Sequence, residues 1–212
     1  MNILIYVICL LLCLLIWRLC NVLSRIKNNE VTIIKGKSIR TLIFLGSGGH
    51  TGEMLKVVQE FDLQKYSPRF YVVALTDTMS SKKVLSFEDS TQNNNFCINF
   101  IPRSREVGQS WVSSFFSTLH SLIKSVSLVF KTKPDLILCN GPGSCVPVCI
   151  ASFVFKVLGL ANARMIFIES ICRIKSLSLS GKILYYICDD IFVQWEHLCR
   201  MYPRAKYLGR VV

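Results

Sequence analysis

Residues 42–54 read LIFLGSGGHTGEM, from Leu42 to Met54. An apolar run enters a glycine cluster, and a segment suited to a helix leaves it. This is the outline of a strand, a tight loop and a helix N-terminus. Glycine lets the backbone turn sharply and approach a ligand closely. The free N–H groups at the start of a helix favour an anion. A dinucleotide, a nucleotide sugar or a lipid diphosphate would each suit such a loop. A dinucleotide fingerprint wants G-x-G-x-x-G, and its third glycine falls at Thr51. Asp77 follows the next apolar run, where a ribose-binding acid would stand, so an NAD-type oxidoreductase stays in play as an alternative. No Gly-Lys-Ser/Thr follows the glycines, so the phosphate loop of nucleoside triphosphatases is absent.

Working outward, apolar runs alternate with helix-like segments. Strands are expected at 39–45, 69–76, 96–101, 135–139 and 165–169, with strand-like stretches at IFVQW and KYLGRV. Helices are expected at about 50–61, 111–131, 146–158 and 182–188. Residues 80–95 are polar, end in a run of asparagines and read as a loop. This alternation predicts an α/β fold, a Rossmann-like, doubly wound parallel sheet. The strands are near-continuous apolar runs, as strands covered on both faces are. The chain of 212 residues suffices for one such domain.

A second glycine loop, Asn140-Gly141-Pro142-Gly143-Ser144, also joins a strand to a helix. Two such loops at strand C-terminal ends face one crevice in an open sheet. Glu169, ending the fifth strand, is expected at the same rim.

The N-terminal stretch Ile3–Trp17 is uncharged and apolar, and the charges Arg18, Arg25, Lys27, Lys35, Lys37 and Arg40 come after it. A signal peptide wants charge before the apolar run and small residues after it. The expected organisation is a transmembrane anchor at 1–20, a basic linker at 21–38 and one domain at 39–212. Arg18 sits beside Trp17 at the interface, and the positive-inside rule puts the body in the cytosol. Helices 111–131 and 146–160 carry many apolar residues with Lys124, Lys131, Lys133 and Lys156 among them. They read as core helices with lysines on the wet side, or as a basic-apolar face resting on a bilayer.

The ten cysteines are scattered, without C-x-x-C or zinc-ligand spacing, so no metal site is expected and a reducing compartment is. No Asn-x-Ser/Thr sequon occurs. The net charge of +12 implies an anionic partner; with no RNA motif and no aromatic-basic stripe, nucleic acid is not expected.

The set LGSGGHTGEM, SREVGQSW, KPDLILCNGPGSCVP, ESICRIKSLSLSGK and YLGRVV resembles one family. It is that of asparagine-linked glycosylation protein fourteen, the membrane-anchored subunit of the two-part N-acetylglucosaminyltransferase of the dolichol pathway. The motifs span Leu42 to Val212. The resemblance implies one half of a split GT-B glycosyltransferase, similar to the acceptor half of the bacterial peptidoglycan enzyme. It implies addition of the second N-acetylglucosamine to dolichyl-diphosphate-N-acetylglucosamine at the cytosolic face of the endoplasmic reticulum membrane. UDP-N-acetylglucosamine would be a donor substrate, not a cofactor. It would be held mainly by a soluble partner, asparagine-linked glycosylation protein thirteen.

The expected diphosphate-binding residues are Ser47, Gly48, Gly49, Thr51, Gly141, Pro142, Gly143 and Ser144, with Arg103 and Arg105 adding charge-assisted bonds. His50 and Glu169 are the two candidates for the base that takes the acceptor hydroxyl proton. The family's C-terminal tail docks the partner, which assigns Leu208, Gly209, Arg210, Val211 and Val212 to that interface. A non-catalytic membrane scaffold is the other alternative.

Overall fold

The computed structural model describes residues 2–28, 38–91, 95–104, 108–141 and 143–210. Seven parallel strands form one sheet: β1 (Thr41–Phe44), β2 (Arg69–Ala74), β3 (Phe96–Ile101), β4 (Leu136–Asn140), β5 (Arg164–Ile168), β6 (Asp190–Val193) and β7 (Ala205–Tyr207). Their order is β3-β2-β1-β4-β5-β6-β7. The order reverses between β1 and β4, which pair directly, Thr41 beside Leu136. Ligands of open α/β sheets bind at that switch point. The loops leaving β1 and β4 are the two glycine loops.

The helices are α1 (Asn2–Lys27), α2 (Gly49–Gln59), α3 (Thr78–Thr91), α4 (Trp111–Thr132), α5 (Val146–Leu158), α6 (Leu179–Leu184) and α7 (His197–Met201). Strand alternation sends Leu42 and Phe44 to one face and Ile43 and Leu45 to the other. The first face packs with Leu128, Val148, Ala151 and Leu184 of α4, α5 and α6. The second packs with Met54, Val58 and Val84 of α2 and α3. Cys139, Cys145, Cys149 and Cys188 lie in the first core as free thiols, the Sγ atoms of Cys139 and Cys149 3.5 Å apart.

Three expectations need correcting. Residues 78–91 form α3 and are not a loop. What their polarity hid is a buried ion pair: Arg69 Nε and Nη2 donate to Glu88 at 2.7 and 2.6 Å, with both side chains wholly enclosed. Tyr71 also donates to Glu88. Second, Lys156 does not face water. It is buried and paired with Asp189 at 2.7 Å.

Third, the anchor helix does not end at residue 20. It continues to Lys27, through half of the stretch read as linker; residues 29–37 lie outside the described ones. Val22 and Ile26 are buried against the body. Arg18 donates from Nε to the carbonyl of Val157 at 2.6 Å and from Nη2 to that of Lys156 at 3.3 Å. These are among the last carbonyls of α5; that of Lys156 also accepts from the N–H of the C-cap residue Gly159. The residues before Arg18 stay exposed, and this is the one helix, among the described residues, long and apolar enough to cross a bilayer.

Candidate functional site

The first glycine loop leaves β1 through Leu45 and Gly46 and turns at Gly48, whose φ of 69° favours glycine. Helix α2 starts at Gly49 without a side-chain cap. Its N-cap, a glycine, offers no side-chain acceptor to the first N–H groups. Ser47, Gly48 and Gly49 are exposed, and a Cβ on Gly48 or Gly49 would meet open space. An open helix N-terminus of this kind is suited to an anion. Thr51 differs from its expected role: it is wholly buried, donates to the Gly46 carbonyl and bonds Ser80 Oγ at 2.6 Å. It braces the loop from behind.

The second loop comes directly against the first. Asn140, last residue of β4, donates from Nδ2 to the His50 carbonyl at 2.7 Å. Gly141 has φ 54°, and a Cβ there would stand 2.3 Å from His50 Cε1. Gly143 is exposed and Ser144 half-buried in a 3-10 turn that opens α5. Pro142 lies outside the described residues, as does Arg105. Arg103 is half-buried after β3, next to Ser104.

His50 is about a third exposed, and its Nδ1 lies 3.1 Å from Glu53 Oε2. Glu53 also accepts from Ser170 Oγ at 3.4 Å and from Asn140 Nδ2 at 3.4 Å. Three strand ends thus converge on one histidine–carboxylate pair. The bond to Glu53 keeps the proton on Nδ1 and leaves Nε2 free to accept another. Glu53, Asn140 and Ser170 escaped the sequence reading. Only the i, i+3 spacing of His50 and Glu53 on a helix could have signalled the pair.

Glu169, the other candidate base, is not presented to the crevice. It is 0% exposed and accepts from Ser178 N at 2.8 Å, Ser178 Oγ at 3.0 Å and Ser170 N at 3.1 Å. Its carboxylate ties the two ends of the loop between β5 and α6. Trp195 Nε1 and His197 Nε2 fasten the same loop through the carbonyls of Ile171 and Ile174. Asp77, where an oxidoreductase would hold ribose, instead accepts from the N–H and Oγ of Ser80, capping α3.

An apolar groove of about 350 Å³ opens beside the second loop. Gly143, Phe115, Val146, Pro147, Leu179 and Ile183 line it, with Ser104 at its edge. At the other end of the sheet, β7 is shorter than expected. Leu208 after it is exposed, Gly209 has φ 89°, and the Arg210 guanidinium lies 4.7 Å from the Trp195 ring centroid. Val211 and Val212 lie outside the described residues.

Residues 41–211 match the family model described as "Oligosaccharide biosynthesis protein Alg14 like". The UDP-N-acetylglucosamine transferase subunit ALG14 of Rattus norvegicus is 48% identical over 183 residues, 83% of this chain and 84% of the rat protein. The subunit of the same name from Homo sapiens is 46% identical over the same shares. That from Yarrowia lipolytica is 42% identical over 84% of this chain and 83% of its own length. Among solved structures, Acinetobacter baumannii MurG superposes with a TM-score of 0.53 at 16% identity, over 73% of this chain and 41% of that one. A UDP-N-acetylglucosamine 2-epimerase from Rickettsia bellii gives 0.54 at 16% identity, over 81% and 44%. At those identities they share the fold alone, and this chain spans less than half of either. By its family model and its relatives, the chain belongs to the Alg14-like family of oligosaccharide biosynthesis proteins.

Proposed function

We propose that this chain is the membrane-anchored, acceptor-binding subunit of a UDP-N-acetylglucosamine transferase, and that its acceptor is dolichyl-diphosphate-N-acetylglucosamine. The observation that carries this reading is the contact of two glycine loops around His50, continuous with the apolar groove at Gly143. A lipid diphosphate needs that sequence of surfaces. N–H groups of Gly48, Gly49 and the Gly143–Ser144 turn take the phosphates. The groove takes the first part of the isoprenoid, and the sugar lies toward His50.

His50 Nε2 then takes the proton from the acceptor hydroxyl. The hydroxyl oxygen bonds to the sugar carbon of the donor as its bond to UDP breaks, and UDP leaves with the electron pair. Glu53 fixes the ring tautomer and orientation throughout. The donor would sit on a second, soluble chain, the asparagine-linked glycosylation protein thirteen of the family. Helix α1 would cross the endoplasmic reticulum membrane once. Arg18, Arg25 and Lys27 at its C-terminal end favour a cytosolic body. Helix α4 presents Phe115, Phe116, Ile123 and Phe130 to the outside, each more than 60% exposed. Such a face suits the surface of a bilayer.

The test is transfer from labelled UDP-N-acetylglucosamine to a short-chain acceptor by this chain, by the soluble subunit and by both. Activity confined to the mixture supports the reading. A stable complex with no transfer would favour the scaffold.

A further inference from the structure

A second cleft, of about 650 Å³, lies away from the glycine loops, where the end of α1 meets the body. Leu23, Ile26 and Lys27 of α1 form one wall, and Tyr186, Pro203 and Arg204 the other. Its size is that of a small-molecule site. Its chemistry is two-sided, apolar on Leu23, Ile26 and Pro203 and cationic at Lys27 and Arg204.

Arg204 has no carboxylate within ion-pair distance among the described residues. The two carboxylates whose charge reaches Arg204, Asp189 and Asp190, are already engaged with other cations. Asp189 holds Lys156 at 2.7 Å, and Asp190 holds Arg164 and Lys206 at 2.7 and 2.6 Å. The Arg204 guanidinium instead donates to the carbonyls of Tyr185 and Cys188 and lies 5.2 Å from the Tyr185 ring centroid. Its Nε is buried with no hydrogen-bond partner among the described residues. Burial pushes the Arg204 guanidinium below its ordinary value, and the charges of Asp189 and Asp190 offset this only in part. An anion in the cleft would offset the cost of the half-buried charge.

The position on α1 says what kind of anion. With Trp17 and Arg18 at the edge of the hydrocarbon, Leu23 begins about 8 Å further along the helix, at the depth of lipid phosphates. We infer that this cleft holds the headgroup end of an anionic membrane phospholipid, its phosphate between Lys27 and Arg204 and its glycerol and upper acyl carbons against Leu23 and Ile26. The lipid is distinct from the acceptor and cements the anchor helix to the body. The inference rests on the membrane-anchor reading of α1.

The test is native mass spectrometry of the full chain, extracted in mild detergent and offered phosphatidylinositol or phosphatidylcholine. The expected result is retained phosphatidylinositol in preference to phosphatidylcholine. Lys27→Gln removes one exposed charge and should lower that retention about fivefold, the worth of one basic residue at an anionic surface. Leu23→Trp fills the cleft and should lower it further with Arg204 left in place. Arg204→Gln is the weaker variant, because Arg204 also braces the carbonyls of Tyr185 and Cys188. Equal retention of both lipids, detergent alone in the cleft, or wild-type retention by both Lys27→Gln and Leu23→Trp would overturn the proposal. Alkaline extraction of membranes separates the two readings. Release of the chain sinks the anchor itself; a chain that stays but selects no anionic lipid sinks only this site.

Discussion

A Cβ added to Gly141 would stand 2.3 Å from Cε1 of His50, so the second glycine loop exists in this form only because residue 141 has no side chain. Its φ of 54° adds a second reason for glycine. Gly141→Ala should therefore push the imidazole out of line. A displacement near 1 Å at a reacting group costs about a hundredfold in rate. Turnover should fall by that order while binding to the soluble subunit stays intact. A variant with wild-type turnover would show that the His50 ring does not need its present place.

His50 and Glu53 should separate kinetically. His50→Ala should lower kcat about 10²- to 10⁴-fold, the usual contribution of a positioned base. Glu53→Gln keeps the shape but lets the ring choose either tautomer, so an intermediate loss is expected. Glu169→Gln should act differently. Its carboxylate binds Ser170 and Ser178, and its replacement should loosen the loop between β5 and α6, seen as lower thermal stability together with lower activity. Near-normal turnover in His50→Ala, with the complex intact, removes the base assignment.

These contrasts mark what was legible in the sequence. The switch point was legible because both glycine loops follow apolar runs, and a strand entering a glycine cluster has few other solutions. Strand β4 was legible because its apolar run is wholly buried, and β3 and α4 were legible as apolar runs even though Phe100, Phe115, Phe116, Ile123 and Phe130 stay exposed. Helix α3 was not, because its inward face uses Ser80 and Glu88, and a buried carboxylate looks like a surface one until its arginine is found across the sheet. Glu169 stood out and Glu53 did not for a related reason. Each follows or nears a strand end, and sequence alone does not say which carboxylate is consumed by backbone N–H groups. The far end of α1 was misread because Arg18, Arg25 and Lys27 suggest a solvated linker, whereas Val22 and Ile26 dock between them.

The Arg69–Glu88 pair should be costly to break and less costly to replace. Glu88→Ala leaves the enclosed Arg69 without its partner and should destabilise the fold by about 3–5 kcal/mol. The double change Arg69→Met with Glu88→Leu removes both charges and should recover part of that loss, less the cost of leaving the buried Tyr71 hydroxyl without its acceptor. Denaturant midpoints of the three variants check this. A double variant as unstable as the single one would show that the pair's hydrogen bonds to the surrounding carbonyls matter more than its charge.

Asp190 gives the fold a predictable acid limit. Burial works to raise its carboxyl, but the bonds from Lys206 and Arg164 outweigh burial and hold it below the usual range. A folded value below the unfolded one, near 3.9, stabilises the fold above about pH 4. That contribution is lost as pH falls through the folded value. Thermal midpoints of the wild type should therefore drop between about pH 5 and pH 3 more steeply than those of Asp190→Asn. The variant should be less stable than wild type at neutral pH, and the two should converge in acid. Parallel curves would assign the acid limit to other carboxylates.

Arg18 decides whether the anchor is a tether or a part of the machine. Its guanidinium lies over Gly159, where an added Cβ would come within 3.0 Å of Nη2, and it donates to the end of α5. Helix α5 begins at the second glycine loop, so one rigid element runs from the anchor to the site. A loose tether would leave the exposed face of α4 free to tumble above the bilayer; the Arg18 clamp fixes that face and the groove at one height. Arg18→Ala should leave the chain in the membrane, because Ile3–Trp17 is untouched. With a long-chain acceptor in vesicles its activity should fall about tenfold, on the scale of a charged hydrogen bond. With a short-chain acceptor in detergent, where height above a bilayer has no meaning, activity should stay near wild type. Equal losses in both would assign Arg18 to the stability of α5 alone, and no loss in either would make α1 a tether after all.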